Sequence, residues 1–431
     1  MSERAQLENV GKYPVLRKLG EGATSEVYLC RDPFNDREVA VKVAFPETFQ
    51  DPERGELYRR LFLTEASLAG KLQHPHICQI YDAVAEDRIH YLVMEYVDGG
   101  TLEKYCRPDK LLAPARIVEM TFKCTRALEF AHRLGVTHRD LKPANILHTG
   151  ETNVKISDFG GALIAKAETT TVGSIGSPAY MSPEQVKEQP LDHRTDIYSM
   201  GVSMYQLLTG RLPFQGANNF SLMYQITGGK VEPPSALRPG LPAVIEAIVL
   251  RAMAREREER YQAWADFSKE LAQVFSASRN EARKAQDFPD SDRFETLRAL
   301  AFFRDFTDAE LWEVARISSW RHADAGQTLM KEGDAGEDFC ILAEGEVKVT
   351  RRGKLLGVVR PGECFGEMAY LAKKDNRRGA DVTVSAESNV ISVPTARLPQ
   401  VTEGCRHKFD RAFMTILVER LSAANLRLSG V

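Results

Sequence analysis

Five short stretches of this 431-residue chain hold the residue types that moving a phosphoryl group would require. Such a transfer needs a cradle for phosphates, metal ligands and a carboxylate beside the accepting hydroxyl, and most of the rate comes from positioning and charge stabilisation. The turn Leu19-Gly20-Glu21-Gly22-Ala23-Thr24-Ser25-Glu26-Val27 joins two strand-like runs, where glycines let a backbone approach phosphates closely. Ser25 stands where a third glycine would be expected. Val39-Ala40-Val41-Lys42 sets one lysine among apolar neighbours, where it can point into a cleft. Glu65, on the helical stretch that follows, is a suitable partner for it. The most specific signal is His138-Arg139-Asp140-Leu141-Lys142-Pro143-Ala144-Asn145, followed by Asp158-Phe159-Gly160.

Together these segments resemble the working parts of the eukaryotic-type serine/threonine protein kinases, bacterial members included, and the resemblance runs from about Tyr13 to Phe275. Ser177-Pro178-Ala179-Tyr180-Met181-Ser182-Pro183-Glu184 is similar to the end of an activation segment, with Ser182 in place of the commoner alanine. Asp196 resembles the helix-start aspartate that anchors the catalytic loop, and Arg260 the arginine that pairs with Glu184. The resemblance implies a bilobal fold, ATP and Mg²⁺ as cofactors, and a role for each matching position. Leu19, Gly20, Glu21, Gly22 and Ala23 would cover ATP, while Lys42, paired with Glu65, would hold its α- and β-phosphates. Asp158 and Asn145 would bind Mg²⁺, Asp140 would orient the acceptor hydroxyl and take its proton, and Lys142 would steady the γ-phosphate. Met94 would be the gatekeeper, with backbone groups of Glu95 and Val97 on adenine and Val27, Ala40 and Leu147 as its apolar sandwich. Lys142 followed by Pro143 resembles serine/threonine rather than tyrosine kinases, so Ser and Thr hydroxyls of protein substrates are the expected acceptors. Arg139 implies a bound phosphate on the activation segment, for which Thr169, Thr170, Thr171 and Ser174 are the candidate hydroxyls.

A second set lies near the C-terminal end. A cyclic-nucleotide site needs backbone amides and an arginine for the phosphate and a carboxylate for the ribose. Phe365-Gly366-Glu367-Met368-Ala369-Tyr370-Leu371, with Arg378-Gly379-Ala380 after it, supplies them and resembles the phosphate-binding cassette of cyclic-nucleotide-binding domains. The likeness covers roughly Phe294 to Leu428. It implies Glu367 on the ribose 2′-hydroxyl, Arg378 on the phosphate, and amides from Gly366 to Ala369 beside it. Arg377 competes for the arginine role, and Gly379, where cyclic-GMP binders often carry threonine, favours cyclic AMP or another nucleotide over cyclic GMP.

The elements that must position these residues follow from periodicity. From Tyr13 to about Tyr91 the runs are β-like, broken by one helical stretch over Leu61 to Leu72. From Thr101 to Phe275 helical spacing dominates, as in Ala115 to Leu134, Asp196 to Thr209 and Leu241 to Met253. This predicts an α+β protein: a kinase unit over 1–275, with a small lobe at about 11–97 and a large one at 98–275, then a polar linker over 276–292. Over 293–431 a helical start, Gly-punctuated short strands and a closing helix predict a β-roll or barrel with flanking helices. That helix places Phe413, Ile416, Leu417 and Leu421 on one face.

Composition bounds the function. A net charge of −3 offers no long face for nucleic acid, and no apolar run is long enough to span a bilayer. The seven cysteines lack paired spacing, which with the absence of a signal core fits a reducing, cytoplasmic setting. Two alternatives stay open beside a nucleotide-regulated kinase: an active kinase whose barrel is a ligand-free docking or homodimerisation module, and a catalytically dead, nucleotide-sensing scaffold.

Overall fold

Strand alternation builds the first layer of the protein, whose structure is a computed structural model describing residues 7–22, 24–50, 55–86, 89–164, 177–279, 289–368 and 377–428. The strands β1 (Asn9–Val10), β2 (Tyr13–Glu21), β3 (Ser25–Asp32), β4 (Arg37–Ala44), β5 (Ile80–Glu86) and β6 (Ile89–Glu95) form one antiparallel sheet in the order β1-β2-β3-β4-β6-β5. Successive side chains of a strand face opposite ways, so Val39 and Val41 join Tyr28, Cys30, Tyr91 and Val93 in a buried cluster, and Ala40 and Lys42 take the other face. The register sets Val27 opposite Lys42 and Ala40 opposite Met94. Val27, Ala40, Lys42 and Met94 therefore share one side of the sheet.

Helices α1 (Pro46–Gln50) and α2 (Gly55–Ser67) follow β4, and α2 buries Phe62 and Glu65. The helix expected over Leu61 to Leu72 thus begins earlier and stops at Ser67. The amides of Leu68 and Ala69 bond the carbonyls of Glu65 and Ala66, tightening the last turn, and Gly70 takes a φ of 73°.

Beyond Glu95 helices dominate. The long α3 (Pro114–Arg133) is buried along most of its length. The strands β7 (Val136–Thr137), β8 (Ile146–Thr149), β9 (Asn153–Ile156) and β10 (Leu163–Ile164) make two small antiparallel pairs, β7 with β10 and β8 with β9. Helices α4 (Pro183–Val186), α5 (Arg194–Thr209), α6 (Asn219–Gly228), α7 (Pro234–Leu237), α8 (Ala243–Ala252) and α9 (Trp264–Arg279) complete the lobe. A Cβ on Gly201 of α5 would lie 2.8 Å from Met253 and 2.9 Å from Ala252, so only glycine permits this approach of α5 to α8.

The chain divides between Val274 and Phe275 into two units. In the second, α10 (Asp290–Ala299) and α11 (Asp308–Ile317) precede the strands β11 (Ser319–Ala323), β12 (Thr328–Met330), β13 (Asp338–Arg351), β14 (Lys354–Val359), β15 (Cys364–Phe365) and β16 (Asp381–Pro394). Their pairings are antiparallel, in the order β11-β16-β13-β14, with β12 on β16 and β15 on β13. Met330, Cys340, Leu342, Val347, Phe365, Val382 and Val390 fill the interior of the roll.

The closing helix α12 (Glu403–Leu428) packs through Cys405, Phe409 and Phe413, whose rings meet Phe302 and Phe339. Leu417, expected on that face, is exposed. Steps of four residues rotate the stripe by about 40° each, so it has turned away from the roll by the fourth member. Ile416 stays half-buried, and the side chain of Leu421 lies outside the described residues.

All seven cysteines are free thiols, and no described helix is long and apolar enough to cross a membrane.

Candidate active site

The glycine turn closes locally. The Gly22 amide donates to the Ser25 carbonyl at 2.8 Å, and Ser25 is buried beneath it. A Cβ on Gly20 would meet nothing within 4 Å, so the space in front of the loop is open. Lys18 braces the hairpin, reaching Glu21 at 2.6 Å and Glu26 at 2.8 Å. Leu19, Gly20 and Glu21 lie on β2, whereas Ala23 falls outside the described residues.

Lys42 reaches Glu65 Oε2 at 3.0 Å and Asp158 Oδ1 at 2.7 Å, joining a strand, a helix and a turn far apart in sequence. Burial works against the lysine's charge, but the two carboxylates outweigh it and raise its pKa. The ammonium in turn holds Asp158 well below the usual carboxylate range. Glu65 is pushed upward, because its burial outweighs the help it receives from Lys42. Asp158 sits at φ 62°, ψ 62°, a conformation costly for a non-glycine residue that aims its carboxylate into the cleft. A Cβ on Gly160 would stand 3.3 Å from Glu65 Oε2 and 3.4 Å from Asp158 Oδ1, crowding the two carboxylates that Lys42 holds.

Asp140 is gripped from several sides. It accepts from Lys142 Nζ at 2.8 Å, from the Ser177 amide at 2.8 Å and from Asn145 Nδ2 at 3.3 Å. Lys142 also reaches Ser177 Oγ at 2.6 Å, and Asn145 Nδ2 bonds the Asp140 carbonyl at 2.8 Å, turning its amide oxygen the other way. Asp196, at the start of α5, accepts the amides of His138 at 2.6 Å and Arg139 at 2.8 Å, so it fixes the loop from below while burial pushes its own pKa up. The oxygens of Asn145 and Asp158 are hard donors of the kind Mg²⁺ takes, with phosphate oxygens and water to complete its shell.

Arg139 adopts φ 69°, and no carboxylate among the described residues forms an ion pair with it. Burial lowers its pKa. The candidate phosphosites Thr169, Thr170, Thr171 and Ser174 lie outside the described residues. Ser182 caps α4 through a capping box with Gln185, whose amide reaches the Arg139 carbonyl at 3.0 Å. Glu184 accepts two prongs from Arg260, at 2.7 and 2.8 Å, both residues being fully buried.

At the lobe junction Met94 and Glu95 end β6, Val97 is buried just beyond, and Leu147 lies on β8. Ser177 was missed as a site residue, although it opens the motif quoted above. Lys155, whose Nζ stands 3.0 Å from Glu95 Oε2 at this junction, belongs to no motif read in the sequence.

In the second unit Arg378 and Arg377 part company. Arg378 is largely buried, pairs with the Asp338 carboxylate, and donates to the carbonyls of Asp338 at 2.8 Å and Gly366 at 3.1 Å. Arg377 is exposed and bonds the Gly333 carbonyl at 2.9 Å. Gly366 is held at φ 74°, and a Cβ there would meet Arg378 at 2.6 Å. Glu367 is buried, Met368 is exposed, Gly379 and Ala380 follow Arg378, and Ala369 falls outside the described residues. Asp338 had no signal in the sequence, since it stands at the head of β13, 40 residues before its partner.

A sheet and a helical lobe that meet at a lysine bound to two carboxylates, followed by a β-roll with a glycine-arginine cassette, define a two-lobed phosphotransferase fold followed in the chain by a cyclic-nucleotide-binding fold. The chain belongs to the protein kinase family: residues 13–285 match the family described as "Protein kinase domain". Residues 320–404 match "Cyclic nucleotide-binding domain". The chain is 38% identical over 298 residues to "Serine/threonine-protein kinase PknB" of Mycobacterium tuberculosis, covering 67% of this chain and 47% of the relative. It is 37% identical over 300 residues to "Serine/threonine-protein kinase PrkC" of Bacillus subtilis, covering 68% and 45%. It therefore spans about half the length of the curated relatives it matches.

Proposed function

We propose that the chain is a cytoplasmic serine/threonine protein kinase that transfers the γ-phosphoryl group of Mg-ATP to Ser and Thr hydroxyls of protein substrates. The observation that carries this is the Lys42–Glu65–Asp158 cluster, set beside an Asp140 held by Lys142, Asn145 and Ser177. Lys42 would draw the α- and β-phosphates, and Asn145 with Asp158 would hold Mg²⁺, which when bound neutralises charge on the phosphates. Asp140 orients the acceptor hydroxyl and takes its proton, and Lys142 offsets charge beside it. A phosphate on Thr169, Thr170, Thr171 or Ser174 would give Arg139 its counter-ion.

The C-terminal unit, in this reading, binds a cyclic nucleotide, cyclic AMP in preference to cyclic GMP. Glu367 takes the ribose hydroxyl, and Arg378 with the amides near Gly366 takes the phosphate. Differential binding to two arrangements of the roll would shift kinase activity by a coupling of about 1–3 kcal/mol.

One observation favours a second reading for this unit. Arg378 already faces an internal carboxylate, Asp338, and two carbonyls, as it would in a ligand-free docking or homodimerisation module.

Phosphorylation of a peptide by the full chain, with Asp140→Asn as control and a panel of cyclic nucleotides, separates these. The kinase reading requires labelling that Asp140→Asn abolishes, and equal labelling by both would end it. Sensor function through Arg378 requires nucleotide binding that Arg378→Ala weakens at least a hundredfold; a loss under tenfold points to Arg377 instead, and no binding by the wild type supports the docking module.

A further inference from the structure

Glu95 is tied down more firmly than its place at a lobe junction requires. Its amide donates to the Gln79 carbonyl at 2.8 Å, and its side-chain Oε2 accepts the Gln79 amide at 3.3 Å. The Cys78 thiol, which burial pushes up to about 12 and so keeps protonated, donates to the Glu95 carbonyl at 3.5 Å. The fourth tie comes from the other lobe: Lys155 Nζ on β9 stands 3.0 Å from the same Oε2. Both side chains of that pair are about three-quarters buried, at 23% and 26% exposure, so solvent screens them only in part.

Lys155 does not stand alone on β9. Its neighbour Ile156 accepts the Cys78 amide at 2.8 Å and donates to the His76 carbonyl at 2.9 Å, and Asp158 follows two residues later. One run of bonds thus joins the turn that aims Asp158 to the residue whose backbone would face adenine. Strand alternation points the Glu95 side chain away from the face that holds Met94 and Ala40, and Lys155 Nζ meets it on that side at 3.0 Å.

We infer that Lys155 is a positioning residue for adenine recognition, setting the orientation of the Glu95 backbone through the Glu95 carboxylate. The inference rests on the kinase reading and names a residue that acts in it through another. Removing the ammonium frees the Glu95 side chain on one side, so the strand end loses a fixed orientation while Asp140, Lys42 and Asp158 keep their partners. The effect falls on ATP binding rather than on the chemical step.

Steady-state kinetics of the full chain with ATP and a peptide acceptor test this. Lys155→Ala should raise KM for ATP about threefold to fivefold, the size a partly screened pair supports. The kcat and the KM for peptide should stay within about 1.5-fold, and Lys155→Arg should restore the ATP value. Glu95→Gln, which keeps shape and removes the charge, should raise KM for ATP equally, and adding Lys155→Ala to it should add nothing; this variant reads the link if the alanine variant does not fold. An unchanged KM for ATP, or a kcat that falls with KM unmoved, overturns the inference while leaving the kinase reading intact. A wild-type chain with no ATP-dependent labelling removes both.

Discussion

Arg260→Ala is the perturbation whose cost the geometry predicts most directly. Arg260 donates from Nε to the Ala254 carbonyl at 2.7 Å, from NH1 to Glu184 at 2.7 Å and the Arg194 carbonyl at 3.1 Å, and from NH2 to Glu184 at 2.8 Å and the Arg255 carbonyl at 3.0 Å. Arg260 is 1% and Glu184 2% exposed, so truncation leaves a buried carboxylate with Thr195 Oγ1, at 3.1 Å, as its remaining side-chain donor among the described residues. Burial alone would raise the Glu184 pKa, and the guanidinium reverses this. Breaking such a pair from one side costs about 3–5 kcal/mol. Against a total of about 5–15 kcal/mol, that is a large share of the stability. At about 2–4 °C per kcal/mol for a unit of this size, the midpoint should fall by about 6–20 °C. Chemical denaturation and calorimetry of the full chain, following the first unit's transition, measure both quantities. Arg31→Ala is the control: its partner Asp36 is 89% exposed, and the change should cost at most about 1 kcal/mol. The double variant Glu184→Gln, Arg260→Met should recover much of the loss, because no uncompensated charge remains buried. If Arg260→Ala costs no more than Arg31→Ala, the attribution to a desolvated pair is wrong. Activity should fall with stability, since Gln185, beside Glu184, holds the Arg139 carbonyl of the catalytic loop.

Lys42→Met should lower kcat/KM for peptide by about 10²–10³-fold, as for loss of one positioned charge at a transition state, read by initial rates under Mg-ATP. Acid should act through His76, whose pKa burial depresses well below 6.5. The unfolded chain then binds the proton the folded one refuses, so stability is full above the ordinary histidine range and falls by up to about 1.4 kcal/mol per unit below it. Denaturation between pH 7 and 5 should show that slope, and His76→Asn should flatten it; an unchanged slope would reassign the effect. Asp158 acts with the same sign in a lower pH window: Lys42 depresses its pKa to about 2, so its contribution is present above the usual carboxylate range and is lost progressively as pH falls from there towards 2. Titration of its carboxyl by NMR should show no protonation down through the ordinary range near pH 4. Gly366→Ala should cost the second unit about 1–3 kcal/mol, from a φ of 74° and a Cβ 2.6 Å from Arg378, and should abolish nucleotide binding while leaving basal kinase activity. Retained binding by a folded variant would remove Gly366 from the site.

The residue types that phosphoryl transfer needs were visible in the sequence, and the resemblance to protein kinases implied a role for each. Alternation along β4 separates Val39 and Val41 from Ala40 and Lys42 whatever the strand packs against. Val27 and Met94 had a place beside them only through the family resemblance, and the register of β3, β4 and β6 puts all four on one face. The spacing of Asp140, Lys142 and Asn145 likewise lies within one loop. Glycine turns and a purely antiparallel roll were legible in the second unit for the same short-range reason. What no local pattern held was partnership between distant segments: Lys155 with Glu95, 60 residues apart, and Arg378 with Asp338 rather than with solvent, Arg377 being turned outward instead. Helix ends also escaped, since α2 stops at Ser67 through its own terminal hydrogen bonds, and the α12 stripe leaves the roll before Leu417. Backbone period is written residue by residue, whereas which charges become neighbours depends on how whole elements close on one another, and only the folded chain decides that.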